Sequence, residues 1–269
     1  MGLDVRAFLA LTSAGFRRWS TYRQATAAAV FTNSVFGFLK TYVLLAVALG
    51  AGGAAVGYDG PMLVSFVWLG QGLIGVVMLW GWTDLADRVR TGDVVADLLR
   101  PVNPLWTYLA ADLGRAGYAT LTRFLIPVAV GLVYFDFFLP TRPASYALFT
   151  VSVALAVLVS FTFRYLVNLT AFWLLDVRGV MLLAQLMMGA LSGLYLPIRF
   201  LPDWCENVLW YLTPFPSMLQ APLDIYVEYG GIGTQLAIVS GQLAWVVVGF
   251  TACGWLQRRA AWKLVIQGG

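Results

Sequence analysis

From Pro61 to Trp82 the chain runs for twenty-two residues without a charge, and five other segments come close to the same pattern. With a rise of about 1.5 Å per residue, a hydrocarbon core roughly 30 Å thick needs about twenty apolar residues, so each segment is long enough to cross a bilayer. The predicted spans are Thr26–Leu49, Pro61–Trp82, Ala116–Leu139, Ser145–Phe172, Gly179–Leu196 and Thr234–Leu256. They predict an all-α polytopic membrane protein with six transmembrane helices. Ahead of the first span, Val5, Phe8, Leu9, Phe16 and Trp19 fall on one side of a helix, and Arg6, Ser13, Arg17, Ser20 and Gln24 on the other. That pattern predicts an N-terminal amphipathic helix over residues 1–25 lying in the membrane interface, in place of a cleavable leader; a frayed soluble tail is the alternative.

Two non-spanning segments carry pattern of their own. Across 83–115, Asp84, Asp87, Arg88, Arg90, Asp93 and Asp97 alternate with Leu85, Val89, Val94, Val95, Leu98 and Leu99. The apolar positions form a helical stripe, broken at Thr91-Gly92 and stopped by Arg100-Pro101-Val102-Asn103-Pro104, where proline removes donors and restricts its predecessor. This is either a mixed-charge knob that a peripheral subunit grips or a solvated connection. Across 197–231, Pro197, Pro202, Pro214, Pro216 and Pro222 cut the chain into pieces too short to cross, and Trp204, Val208, Leu209, Tyr211 and Leu212 form an apolar strip. Such pieces predict an extracellular re-entrant helical hairpin between the fifth and sixth spans, against a loop lying on the headgroups.

Composition sharpens this picture: 60% of residues are hydrophobic, 11% are charged and the net charge is +4. Thirteen of the seventeen basic residues, Arg115, Arg164 and Arg178 among them, fall on the side that would hold both termini. Only Arg142 and Arg199 fall on the other, with Lys40 and Arg123 inside spans. Basic residues are retained in the cytoplasm, so both termini are expected there. No basic run exceeds two residues, so the positive balance marks topology and does not predict a nucleic-acid partner.

Catalytic chemistry has little to stand on. The chain has no histidine, and its two cysteines, Cys205 and Cys253, are expected on opposite sides of the membrane. A His/Cys metal cluster or a His-based nucleophilic pair cannot be assembled from these residues. Of the acids, only Asp136 is expected inside a span. Gly70, Gly72 and Gly75 spell a dinucleotide fingerprint in the middle of a span, where it reads as helix packing, and Asn168-Leu169-Thr170 spells a glycosylation acceptor at a cytoplasmic helix end. No P-loop is present, since neither lysine follows glycine.

The run Arg-Thr-Gly-Asp-Val-Val-Ala-Asp-Leu-Leu-Arg-Pro-Val-Asn-Pro-Leu at 90–105 resembles the L-L-R-P-V-N-P element of bacterial ABC-2 type permeases of about this length. Leu196-Pro197 to Leu201-Pro202, with Thr213-Pro214-Phe215 and Ala221-Pro222, is similar to that family's external segment. The resemblance covers the whole chain as one ABC-2 type transmembrane domain. It implies a permease subunit of a bacterial cytoplasmic-membrane exporter of an amphipathic or apolar substrate. The implied partners are an ABC ATPase subunit in two copies, a second permease chain, identical or related, and membrane lipid. It implies no cofactor in this chain, with ATP and Mg bound by the ATPase. The coupling residues so implied are Asp84, Asp87, Arg88, Arg90, Asp93, Asp97, Arg100 and Asn103, and Trp204, Trp210 and Phe215 are expected to hold an external gate. A lipid-modifying membrane enzyme and a non-transporting assembly factor are the alternatives.

Within the spans, Lys40 is expected to face a dimer interior or to snorkel outward, and Arg123 and Asp136 to snorkel. Gly189 and Gly193 form a G-x-x-x-G pair suited to close helix approach. Asn33, Gln71, Gln185 and Gln242 line a pathway or bond neighbouring helices.

Overall fold

The computed structural model describes residues 4–50, 54–55, 57–79, 81–100, 102–174 and 176–267. Residues 1–3 of the expected interfacial helix, Trp80 of the second span and Pro101 of the proline stop lie outside the described residues.

The chain opens with α1 (Val5–Ser20) and α2 (Arg23–Gly50), followed by a small antiparallel pair, β1 (Ala54–Ala55) and β2 (Tyr58–Asp59). Asp59 then caps α3 (Gly60–Leu73) by accepting from the Met62 amide at 2.8 Å, with Pro61 in the first turn where no amide partner is needed. Beyond Leu73 the helix widens into a π-helical turn, Ile74–Met78, and stops where Met78 (φ 58°) and Gly81 (φ 90°) adopt left-handed backbone. Two short helices follow, α4 (Asp84–Thr91) and α5 (Val94–Leu98), separated by Gly92 at φ 83°, the left-handed helix end that glycine tolerates best.

The next helix, α6 (Pro104–Ala119), begins at Pro104 with Asn103 as its cap, well before the expected start at Ala116. It passes through a second π-helical turn, Thr120–Phe124, into α7 (Leu125–Tyr134). Pro127 has no amide to offer the Arg123 carbonyl, which explains why the regular ladder breaks there. α8 (Pro143–Leu169) ends in a short 3-10 turn, Thr170–Phe172, and α9 (Arg178–Leu191) has only 14 residues. A 3-10 turn at Ile198–Phe200, α10 (Asp203–Leu212), α11 (Gln220–Tyr226) and the long α12 (Gly231–Gln267) complete the described chain.

Five helical stretches are long and apolar enough to span: Arg23–Gly50, Gly60–Met78, Pro104–Tyr134, Pro143–Phe172 and Gly231–Lys263. The fifth expected span, Gly179–Leu196, is instead a helix of 14 residues, about 21 Å at the α-helical rise and so shorter than a hydrocarbon core. Gly193, at φ 90°, has already left the helix, so the Gly189/Gly193 pair is not a helix-packing motif: one glycine turns the chain and the other makes room for Tyr195.

α3 is the central helix, and its Trp68 is fully buried between Gly37 and Gly131, at each of which a Cβ would press on the indole. Gly72 and Gly75 likewise admit Phe124 and Arg123, so the fingerprint-like glycines do serve packing. α1 docks lengthwise on α6: a Cβ at Gly15 would strike the Ala111 carbonyl and one at Gly114 the Thr12 carbonyl. The expected apolar face of α1 is therefore divided. Phe16 meets Tyr118 edge-on, whereas Val5 and Leu9 remain exposed, turned away from that contact.

Candidate functional site

Three polar assemblies stand out in an otherwise apolar bundle. The first is the knob formed by α4 and α5. Its apolar stripe is used for docking on the bundle, with Leu85 and Val94 buried in a cluster with Leu105, Leu109, Phe161, Tyr165 and Leu169. Its charges are largely paired among themselves. Arg88 makes a two-pronged contact with Asp97 at 2.5 and 3.1 Å, and Arg100 reaches the same carboxylate at 3.6 Å. Asp87 bonds Thr83 and Arg90, Asp93 bonds Thr91, and Asp84 pairs with Arg18 of α1 at 2.6 Å. Asn103 caps α6 and accepts from Gln257 of α12. Expected coupling residues are thus brought together, but Arg88 and Asp97 shape the knob instead of facing outward. The outward face offers Val95 and Leu99 between Arg90, Asp93 and Arg100.

The second assembly lies behind the knob. Asp112 of α6, fully enclosed, accepts from Arg115 at 2.7 Å on its own helix and from Arg164 of α8 at 2.8 Å. Arg115 also donates to the Gly75 and Val76 carbonyls at 2.6 and 2.9 Å, in the π-helical turn that ends α3. That turn redirects backbone acceptors, and a guanidinium with five donors in a fixed fork can satisfy two of them while holding a carboxylate. Ser160 donates to the Met78 carbonyl. One turn on from Arg164, Asn168 accepts from the Ala86 amide at 3.1 Å and donates to the Trp82 carbonyl at 3.0 Å, so α8 grips both sides of the junction between α3 and the knob. The would-be glycosylation acceptor is this latch.

The third assembly is at the opposite end. Asp224 of α11, completely buried, accepts from Tyr58 of β2 at 2.5 Å, from Gln220 at 2.7 Å and from Arg199 at 2.9 Å. Arg199 also pairs with Glu206 of α10 and lies over the rings of Tyr229 and Trp210 at 4.5 and 5.1 Å. Close by, at the turn that leads into α12, burial would raise Glu228, but hydrogen bonds from Thr141, the Arg142 amide and Ser145 outweigh that and hold it at about 2.

The expected gate aromatics part company. Phe215 is 3% exposed and meets Phe163 edge-on, and Trp210 is covered by Arg199, whereas Trp204 is 71% exposed and holds nothing within the chain. Most of the apolar strip of α10, Val208, Tyr211 and Leu212 included, is exposed like Trp204. Lys40 has a partner within the chain: it donates to the Leu194 carbonyl at 2.6 Å, released where α9 ends, and sits 5.7 Å from the Tyr195 ring. Asn33 bonds the Gln71 carbonyl of α3, and Gln242 bonds the Ser152 and Ser217 carbonyls, so both tie helices together. Gln71 is buried, and Gln185 lines a 690 Å³ cavity between α4, α9 and α12.

Asp136 is not in a span; it follows the end of α7 and is exposed, whereas Asp112 is enclosed within the candidate spanning stretch Pro104–Tyr134. Asp112 and Arg115 fall in the expected non-spanning segment 83–115, whereas the structure places both on α6. The available signal was the apolar run Leu109-Ala110-Ala111 and Leu113 around them. No sequence signal links Arg199 to Asp224 and Tyr58, which meet only in the folded chain. Arg164, expected among the cytoplasmic basic residues, is buried within α8.

Searches of curated proteins and of solved structures found no match. A sequence profile of the family described as ABC-2 family transporter protein matches residues 37–268, from the middle of α2 through the end of α12 and across all three polar assemblies except Arg18. With a multi-pass helical bundle and a match over most of its length, this chain belongs to the ABC-2 family of transporters, as a transmembrane transport subunit.

Proposed function

We propose that the chain is the permease of an ATP-binding cassette exporter in a bacterial cytoplasmic membrane, with α1, the knob and the far end of α12 in the cytoplasm. Its motor is a separate ATPase subunit present in two copies, which binds ATP and Mg, and it pairs with a second permease chain, identical or related. In this reading α9 and the segment 192–231 together complete a sixth crossing, with α10 and α11 as the re-entrant hairpin. The substrate is amphipathic or apolar and leaves outward. The observation that carries the reading is the knob: its charges are paired internally and its base is latched by Asn168, so its exposed face is free to serve a partner. ATP binding would move the knob, and α6 and α8 would move with it through Arg115, Arg164 and Asn168.

Leu99 is 80% exposed on this face and supports nothing in the chain. Leu99→Glu is therefore expected to weaken co-purification of the ATPase about tenfold, equivalent to roughly 1.4 kcal/mol, without changing the melting temperature of the permease. Undiminished association in L99E and in a paired V95E variant would remove the knob as the docking face.

A further inference from the structure

The buried charges near α1 do not balance. Arg115 and Arg164 are buried and Arg123 is half-buried within spans on this side of the bundle, and among the described residues only Asp112 is buried with them. Arg115 and Arg164 share that carboxylate. Arg123 has no carboxylate within 4.0 Å and donates no hydrogen bond among the described residues, although a guanidinium carries five donors. It is half-buried, 5.6 Å from the Trp19 ring of α1, and its stem lies against Gly75, where a Cβ would come within 2.8 Å of it. An unmatched cation held in apolar surroundings is costly unless an anion joins it.

A recess is present where that anion would sit. It has a volume of 140 Å³ and is lined by Trp19, Gly75, Arg115, Tyr118 and Arg123, between the two π-helical turns of α3 and α6. The volume suits a phosphate group and is too small for an acyl chain. Leu121, Leu125 and Ile126, on the same continuous helix, are exposed and provide apolar surface alongside for such a chain. We propose that this recess binds the phosphate head of an anionic amphiphile in the leaflet that α1 contacts, with Arg123 as the residue that holds it and Trp19 stacked over the guanidinium. The same chemistry would accept free inorganic phosphate, and the test separates the two. The inference rests on the charges and the recess and not on the transport reading.

The full chain in a neutral detergent is titrated with dioleoylphosphatidylglycerol, with dioleoylphosphatidylcholine and with inorganic phosphate, following thermal unfolding and bound lipid by native mass spectrometry. Phosphatidylglycerol is expected to raise Tm by several degrees and to remain bound, while phosphatidylcholine, whose charge is balanced, does so much less. Arg123→Gln should lose most of that shift and most of the bound lipid while leaving the lipid-free Tm unchanged or higher, and Arg123→Lys should retain part of both. A phosphate shift as large as the lipid shift, and lost in R123Q, would support the anion site and assign it to a free ion. An equal phosphatidylglycerol response in wild type and R123Q, or a lipid-free Tm that falls in R123Q as far as the lipid-bound one, would overturn the proposal.

Discussion

At the end of the bundle that carries α1, one carboxylate, Asp112, is shared by two guanidiniums; at the hairpin end, one guanidinium, Arg199, is shared by two carboxylates, Asp224 and Glu206. The surplus of the inner cluster is positive, the sign retained on the cytoplasmic side if α1 is cytoplasmic. The supports of the two clusters differ more. Asp112 and its arginines tie the long helices α6 and α8 to the backbone of α3, so nothing there can yield without disturbing several spans. Arg199, Asp224 and Glu206 tie together three short pieces, the turn at Ile198–Phe200, α10 and α11, with Tyr58 as their bond to β2. The inner cluster is part of the frame. The outer one fastens the short pieces of the hairpin end to one another, with α11 itself seated in the core and bonded to α12 through Gln235.

The largest effect is expected from Asp112→Asn, which strands two buried guanidiniums. Breaking a buried pair from one side costs about 3–5 kcal/mol, enough to abolish recovery of monodisperse protein from detergent. Adding Arg164→Met should restore part of the yield, because one of the two orphaned charges is then removed. Wild-type stability in D112N would remove the inner cluster from the frame.

Asp224→Asn is expected to cost less, about 1–3 kcal/mol, since Arg199 keeps Glu206 and two aromatic faces. Limited proteolysis should show faster cutting between 197 and 231 with the remaining helices intact. A global loss as severe as that of D112N would erase the distinction between frame and fastening.

A smaller effect concerns pH and the neighbouring Glu228. Its carboxyl is held at about 2, below the ordinary 4.5, so its folded-state hydrogen bonds favour the ionised form. The stability it adds is complete above the ordinary value and is lost as pH falls from there toward 2. Between pH 5 and pH 3 the melting temperature of wild type should therefore fall more steeply than that of Glu228→Gln; parallel slopes would show that Glu228 adds no acid-sensitive stability to the hairpin end.

The smallest change is expected from Trp204→Ala, within about 0.5 kcal/mol, because the indole is exposed and nothing in the chain rests on it. If transport or association of a second permease nevertheless falls, the exposed strip of α10 faces a partner; a large drop in the stability of the isolated chain would instead place Trp204 with Phe215 in the packed core.

Hydropathy along the chain is a sum of local contributions, and what depends on such sums was legible in it: the membrane class, four of the long helices to within a turn or two, and the knob with its break at Gly92 and its stop at Asn103-Pro104. Caps and breakers act over a few residues, so their meaning travels with the sequence. The family resemblance was carried by the same short motifs and was upheld by the match over residues 37–268. Which charge is buried could not be read the same way. Asp136 has apolar neighbours on both sides and is exposed, whereas Asp112 sits three residues from an arginine and is enclosed, because Arg164, fifty-two positions away, packs beside it. Which group Lys40 meets within the chain turned on where α9 stops, and which half of the α1 face is covered turned on Gly15 meeting α6. The sequence alone determined what each segment can tolerate around it; only the tertiary structure decided which segments meet, because burial and pairing of a charge depend on neighbours that are distant along the chain.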